Sequence, residues 1–395
     1  MQLRFRSKPA FTRFYDADAA DCRSCLNEAG GFRKNAFLTE GVGFEPTVGF
    51  PTLDFESSAL NRTQPPFQRA RYCRSYFWDA QFAGVPGVCK GNASHEHFND
   101  MAITLTDGGI ETRIIFEFRR PIGDFEAYRL LADEAGREIL RRIYGSYVEV
   151  AKRYRLPIQL GTPTWRASSR WTREVRSVNA AAVTLLREIR QQFPGVQVII
   201  AGVIGPASDG YKTGEALSAD AALAYHRDQA DVLAGLGVDL LYAPTFPAVS
   251  ELLGAARAMA ETGCSYALAP MLHPAGTMLD GTPLAEAIRQ IDAEISPVPS
   301  HYMIGCLYPT HAQTALQSVR SAQATLVRRV RGLKANASPL PPEDLDQLTH
   351  LAGANVRVWA RDEITCAREF ELTILGGCCG TDECYIEALA RLAVN

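Results

Sequence analysis

No stretch of this 395-residue chain approaches the roughly 20 consecutive apolar residues that cross a bilayer, and its opening run MQLRFRSKPAFTRF lacks the apolar block of a secretory signal. These two absences predict a cytoplasmic protein with no membrane partner. A basic surplus is missing too. The 41 Lys and Arg stand against 44 Asp and Glu, for a formal net charge of -3. That balance argues against a nucleic-acid partner and leaves a small molecule as the expected one. Also absent is the GxGxxG spacing that follows the first strand of a dinucleotide fold. Cysteine, by contrast, is plentiful. Ten of them in a chain that is 47% apolar and 22% charged point to thiol or metal chemistry more than to the disulfide framework of a small secreted domain.

The first hundred residues carry Gly, Pro, Arg and aromatics without helical or strand period, and are expected to be an irregular extension, with the folded domain over 101–395. Cys22-x-x-Cys25 and His95-Glu-His97 draw attention here, but the cysteines lack a second pair at zinc-ribbon spacing. The run GVGFEPT resembles a transfer-RNA gene read as protein, because Gly-Phe-Glu can be coded by the conserved arm GGTTCGA; on that reading Met101 is the natural start. A genuine leader is the alternative.

Beyond Met101 eight apolar or β-rich runs recur, at 103–109, 157–164, 196–206, 238–245, 265–270, 302–306, 331–338 and 371–379. Helical stretches separate them, such as AALAYHRDQADVLAGLG at 221–237 with its three-to-four apolar spacing. Eight strand–helix units predict a (β/α)8 TIM barrel, for which roughly 250 residues is typical. A doubly wound open sheet is the runner-up.

In such a barrel, chemistry gathers where the strands end. Cys306 closes the sixth run, and the adjacent Cys378 and Cys379 close the eighth. Neighbouring residues of an extended strand face opposite ways. Gly376 and Gly377 are therefore expected to supply the turn that brings both thiols to one side. Three converging thiolates suit Zn²⁺, and a protein that fills three tetrahedral positions leaves the fourth for substrate.

GGCCGT at 376–381, the cysteine of IGC at 304–306, DGG at 107–109, IGP at 204–206 and the run GEALSADAALAYHRDQADVLAGLGVDLL at 214–241 together resemble the homocysteine S-methyltransferase family, from about Met101 to the C-terminus. The resemblance implies a zinc-dependent barrel, with Cys306, Cys378 and Cys379 on the metal, that moves a methyl group from a sulfonium or quaternary ammonium donor onto homocysteine or a related thiol. It also implies that Asp107, with Gly108 and Gly109 beside it, meets the amino acid substrate and pairs with its ammonium group. A free alkyl thiol has a pKa near 8.5 and is mostly protonated at neutral pH, so a metal that deprotonates it makes the nucleophile. No general base is required. The alternative is a zinc-binding barrel without methyltransferase activity.

Plainer roles fall to other residues. Cys264, Cys366 and Cys384 read as small buried hydrophobes, His226 as structural, Gly205-Pro206 as a shaped turn, and His273 and His311 as loop histidines that follow strands five and six. Asp107 could also serve as a turn residue before its two glycines. Several positions depart from the family pattern. Pro244-Thr245 stands where the fourth strand ends in Glu-Thr, and Thr162-Pro163-Thr164-Trp165 where Asn-Thr-Tyr often follows the second. Gly305 replaces an Asn, and Ala335-Asn336-Ala337-Ser338 replaces Pro-Asn-Ser-Gly. The missing glutamate is the one expected to hold the homocysteine ammonium, which makes Glu111 and Glu251 candidates to replace it.

Overall fold

Eight strands, all parallel to their neighbours, close in sequence order into a barrel, in a computed structural model that describes residues 102–340 and 351–395. The expectations for residues 1–100 and for Met101, including Cys22, Cys25, His95 and His97, lie outside the described residues. In chain order the elements are β1 (Thr104–Thr106), α1 (Ile110–Phe116), α2 (Glu134–Tyr154), β2 (Ile158–Gly161), α3 (Val175–Gln192), β3 (Val198–Val203), α4 (Ala219–Gly235) and β4 (Leu240–Phe246). There follow α5 (Val249–Glu261), β5 (Tyr266–Pro270), α6 (Leu284–Glu294), β6 (His301–Gly305), α7 (Pro309–Ala322), α8 (Ala324–Val327), β7 (Val330–Ala335), α9 (Val356–Phe370), β8 (Ile374–Gly377) and α10 (Glu383–Ala393). Each expected run coincides with one strand to within a residue at the edges of β4, β6 and β7, and β1 pairs with β8 at Thr104–Ile374 to close the ring. The doubly wound alternative is thereby set aside.

The strand residues sort by twos. Ala201, Val203, Leu240, Tyr242, Ala267, Ala269 and Met303 form one apolar cluster. Their alternates Ile200, Leu241, Ala243, Tyr266, Leu268, Tyr302 and Ile304 join the larger cluster with the helices. One set fills the barrel and the other seats the helices, which is why the strands read as continuous apolar runs.

The helices start and stop where local chemistry allows. Asp133 caps α2 by accepting from the Gly136 N–H at 2.6 Å, and the helix ends at Arg155, whose backbone is left-handed. Its buried face includes Leu140, Ile143, Tyr144, Tyr147 and Ala151 at helical spacing. That face brings the Tyr144 hydroxyl to the end of β2, where it donates to the Gly161 carbonyl at 2.7 Å. At the other end of the chain Asp382 caps α10 through the N–H groups of Cys384 and Tyr385. GGCCGTDE is thus a complete strand end, turn and helix start. No helix among the described residues is long and apolar enough to cross a membrane.

Candidate functional site

Cys306, Cys378 and Cys379 each stand just past a strand, one residue after β6 and the first two after β8. Their sulfur atoms lie within 4.8 Å of one another, and they form the one group of three or more potential metal ligands among the described residues. Different devices aim them. Cys306 has a left-handed backbone at φ 56°, a conformation non-glycine residues rarely hold without support. Support comes from Asn336, whose side-chain amide donates to the Cys306 carbonyl at 2.9 Å, and from the Cys306 N–H bonded to the Lys334 carbonyl at 3.0 Å.

For the other two thiols the expected device is wrong. Gly376 and Gly377 lie within β8, and the positive φ of 80° falls instead at Gly380, in the turn after Cys379. The two strand glycines serve close packing. A Cβ on Gly376 would stand 2.2 Å from Thr106 Oγ1, and one on Gly377 would stand 2.0 Å from Thr381 Oγ1. Cys378 leaves the ladder with its N–H on the Ala335 carbonyl at 2.8 Å, while the Cys379 carbonyl accepts from the Ala337 N–H at 3.0 Å.

Thr381 joins the two motifs into one unit. Its hydroxyl donates to the Cys378 carbonyl at 2.8 Å and accepts from the Gly109 N–H at 3.2 Å, so the DGG loop is fastened to the CCGT turn. Three soft donors with no carboxylate or imidazole among them match a metal ion that prefers sulfur. Hydrogen bonds from Cys306 and Cys379, with the Lys334 ammonium nearby, hold the Cys378 thiol well below its ordinary range.

Around the thiols a cavity of about 1040 Å³, its open mouth included, is lined by Asp107, Gly108, Gly109, Glu111, Lys334 and aromatic walls from Phe125, Tyr144, Trp165 and Tyr242. Asp107 is buried, and each of its carboxylate oxygens has a partner. One carboxylate oxygen accepts from the Gly161 N–H at 2.7 Å, and the other is ion-paired with Lys334. Lys334 is a cavity-lining residue the sequence reading missed. Its signal was a lone cation at alternating register with Leu333, which packs in the outer cluster; an inward-facing charge at the end of a barrel strand calls for a partner.

The two candidate carboxylates separate. Glu111 lines the cavity, and burial pushes its carboxyl up to about 7. Glu251 does not line it. Its oxygens accept from the Ala207 N–H at 2.7 Å and the Leu217 N–H at 3.3 Å, and His226 lies 3.3 Å away. His226 is therefore structural, as expected, between α4 and α5. His273 and His311 stay out of the cavity wall, as do Cys264, Cys366 and Cys384.

The positions that depart from the family pattern shape the wall. Thr245 has φ 65° at a register shift between β4 and β5, and its hydroxyl accepts from the Trp165 indole N–H at 2.8 Å. Trp165 in turn lies so near Gly205 that a Cβ there would sit 2.4 Å from its carbonyl oxygen, so that position has room only for a glycine. Thr162 and Thr164 tie β2 to β3, with Thr162 accepting from the Val203 N–H at 2.9 Å and Thr164 donating to the Val203 carbonyl at 2.7 Å.

Fold and site together define a (β/α)8 barrel with a sulfur-rich centre at the carboxyl ends of its strands. The family described as homocysteine S-methyltransferase matches residues 104–393, and the chain belongs to that family. A curated relative, the S-methylmethionine–homocysteine S-methyltransferase of Pongo abelii, is 28% identical over 237 residues. That match takes in 56% of this chain and 60% of the relative's length. Among solved structures, the metallated form of the homocysteine methyltransferase MmuM from Escherichia coli superposes with a TM-score of 0.59 at 20% identity, covering 75% of this chain and 98% of that one. Its oxidized form gives 0.60 at 22% identity over 74% and 97%. At these identities the structural likeness is one of fold.

Proposed function

We propose that the protein is a zinc-dependent S-methyltransferase that passes a methyl group from a sulfonium or quaternary ammonium donor to homocysteine or a related small thiol. The observation that carries this reading is the convergence of three thiols from two separate strand ends on one point at the barrel mouth. Family membership supports it, as does the relative from Pongo abelii, whose name states S-methylmethionine as donor and homocysteine as acceptor.

Cys306, Cys378 and Cys379 would hold the ion. Zinc with three protein sulfurs leaves a position for a fourth ligand and favours deprotonation of a thiol placed there. The chain's own residues arrange the partners. Asp107, Gly108 and Gly109 form the wall beside the thiols, with Asp107 pinned by Gly161 and Lys334. Phe125, Trp165 and Tyr242 line the same cavity with aromatic surface suited to a methylated cation. Holding two reactants in one line supplies much of the rate. The acceptor's thiol proton leaves to solvent. Its sulfur lone pair forms the new S–CH₃ bond as the donor's bond to that methyl breaks. The bonding pair stays on the donor, which departs as a neutral thioether or tertiary amine.

The reading is tested by incubating the zinc-loaded protein with homocysteine and either S-methylmethionine, S-adenosylmethionine or betaine. Methionine formation with one donor, abolished by Cys378→Ala, is the expected result. No transfer from any donor to any small thiol would overturn it.

A further inference from the structure

Three side chains with ordinary acid or ammonium charges line the cavity: Asp107, Glu111 and Lys334. Two of them consume each other. Lys334 is paired with the Asp107 carboxylate, and its ammonium also donates to the Asp107 carbonyl at 3.3 Å. The remaining Asp107 carboxylate oxygen takes the Gly161 N–H. Both Asp107 carboxylate oxygens thus already carry a partner, and its charge is balanced by Lys334.

Glu111 is different. It sits in the first turn of α1, half-buried, and has neither an ion pair nor a hydrogen bond from another described residue. The cavity it lines is walled in good part by apolar and aromatic side chains, Phe125, Tyr144, Trp165, Tyr242 and Met271 among them. A carboxylate among such surface is costly without a partner, and a cation carried in by the ligand supplies one. Its position also selects which ligand. The loop bearing Gly109 is fastened to the Cys378–Thr381 turn, so Glu111 is held beside the thiol centre. An acceptor whose sulfur lies at that centre has its α-ammonium only four bonds away.

We infer that Glu111 receives the α-ammonium group of an amino acid acceptor, and that Lys334 withholds Asp107 from that role. This rests on the reading of the cavity as the acceptor site of a thiol methyltransferase. It makes Glu111 a specificity-determining residue, and it means that the chain still selects for an amino acid despite Pro244 at the position where the family carries glutamate.

The test uses the zinc-loaded full chain and two acceptors, homocysteine and its desamino analogue 4-mercaptobutyrate. Binding of each is measured by calorimetry without donor, and kcat/KM with S-methylmethionine. The wild-type protein should prefer homocysteine by about a hundredfold in both readouts, because a site built to pair a charged group rejects the analogue lacking it. Glu111→Gln should reduce that preference to a few-fold, with zinc content and the KM for donor unchanged. The inference is overturned if wild-type protein binds the two thiols within roughly threefold of each other, if Glu111→Gln keeps the preference, or if the variant raises the KM for donor instead. Should Glu111→Gln fail to hold zinc, Glu111→Ala is measured in its place, and its keeping the wild-type preference overturns the inference. Failure of methyl transfer in wild-type protein would defeat the proposed function, while the donor-free binding preference still judges Glu111.

Discussion

Lys334 and Asp107, 227 positions apart in the chain, meet as an ion pair at the barrel mouth and join the end of β7 to the end of β1. Their side chains are 13% and 3% exposed, so water does little to screen the pair, and each group depends on the other. Removing one partner of a buried pair leaves an uncompensated charge, which costs more than the intact pair contributes.

Lys334→Met should therefore destabilise the fold by about 3 kcal/mol, and adding Asp107→Asn to it should recover most of that loss. Denaturant unfolding of the metal-free proteins measures both. A double variant as unstable as the sum of the two singles would show that the pair is not coupled.

Replacing Cys306, Cys378 or Cys379 with Ala takes away one of three converging donors and should lower bound zinc at equilibrium with a competing chelator to a small fraction of wild type. Cys264→Ala should leave it unchanged, since that thiol faces the Val238 carbonyl at 3.8 Å. Metal analysis after gel filtration decides the matter, and the same zinc content in all four variants would remove the ligand assignment.

Asn336 holds the strained Cys306 turn through the Cys306 carbonyl. Asn336→Ala should weaken zinc affinity by about tenfold without abolishing binding, as changes behind a ligand commonly do. A competition titration against a fluorescent chelator reads the shift. An affinity equal to wild type would mean that the Cys306 backbone holds its own conformation.

Two glycines should respond oppositely to a methyl group. Gly376→Ala meets Thr106 Oγ1 at 2.2 Å and the Thr106 carbonyl oxygen at 2.8 Å, and should cost about 2 kcal/mol or more. Gly145, within α2, has nothing within 4 Å of the added carbon, so Gly145→Ala should stabilise by roughly 0.5–1 kcal/mol. Thermal unfolding of both variants beside wild type checks the contrast, which fails if Gly376→Ala is neutral.

We also propose that the barrel domain is self-sufficient from Met101. The ring closes between β1 and β8, and the family match begins at residue 104. A chain starting at Met101 should unfold in one cooperative transition and bind zinc as the full chain does. Aggregation, or loss of the transition, would assign the first hundred residues to the domain.

Periodicity and a local motif made much of this molecule legible. The eight runs became eight strands because a parallel strand covered on both faces must be apolar along its length, and that demand is visible one residue at a time. The thiol pair was legible because Cys378 and Cys379 are neighbours in sequence. The turn that aims them was misplaced. Gly376 and Gly377 looked like hinge residues, but their need for small size comes from Thr106 and Thr381 across the packing, and neither threonine's distance can be read from spacing.

Charge partners were the least accessible. Glu111 and Glu251 were equal candidates in the sequence; the structure gives Glu251 to the backbone of Ala207 and Leu217 and leaves Glu111 facing the cavity. Lys334 escaped notice because its meaning lies wholly in Asp107. By itself the sequence determined the barrel, the strand ends and the three thiols, since alternation, apolar burial and adjacency are local properties of a chain. Which carboxylate is neutralised and which stays open was decided by tertiary structure. Ring closure sets β8 between β7 and β1, and a charge acts over a few ångströms of space, however many residues of chain lie between.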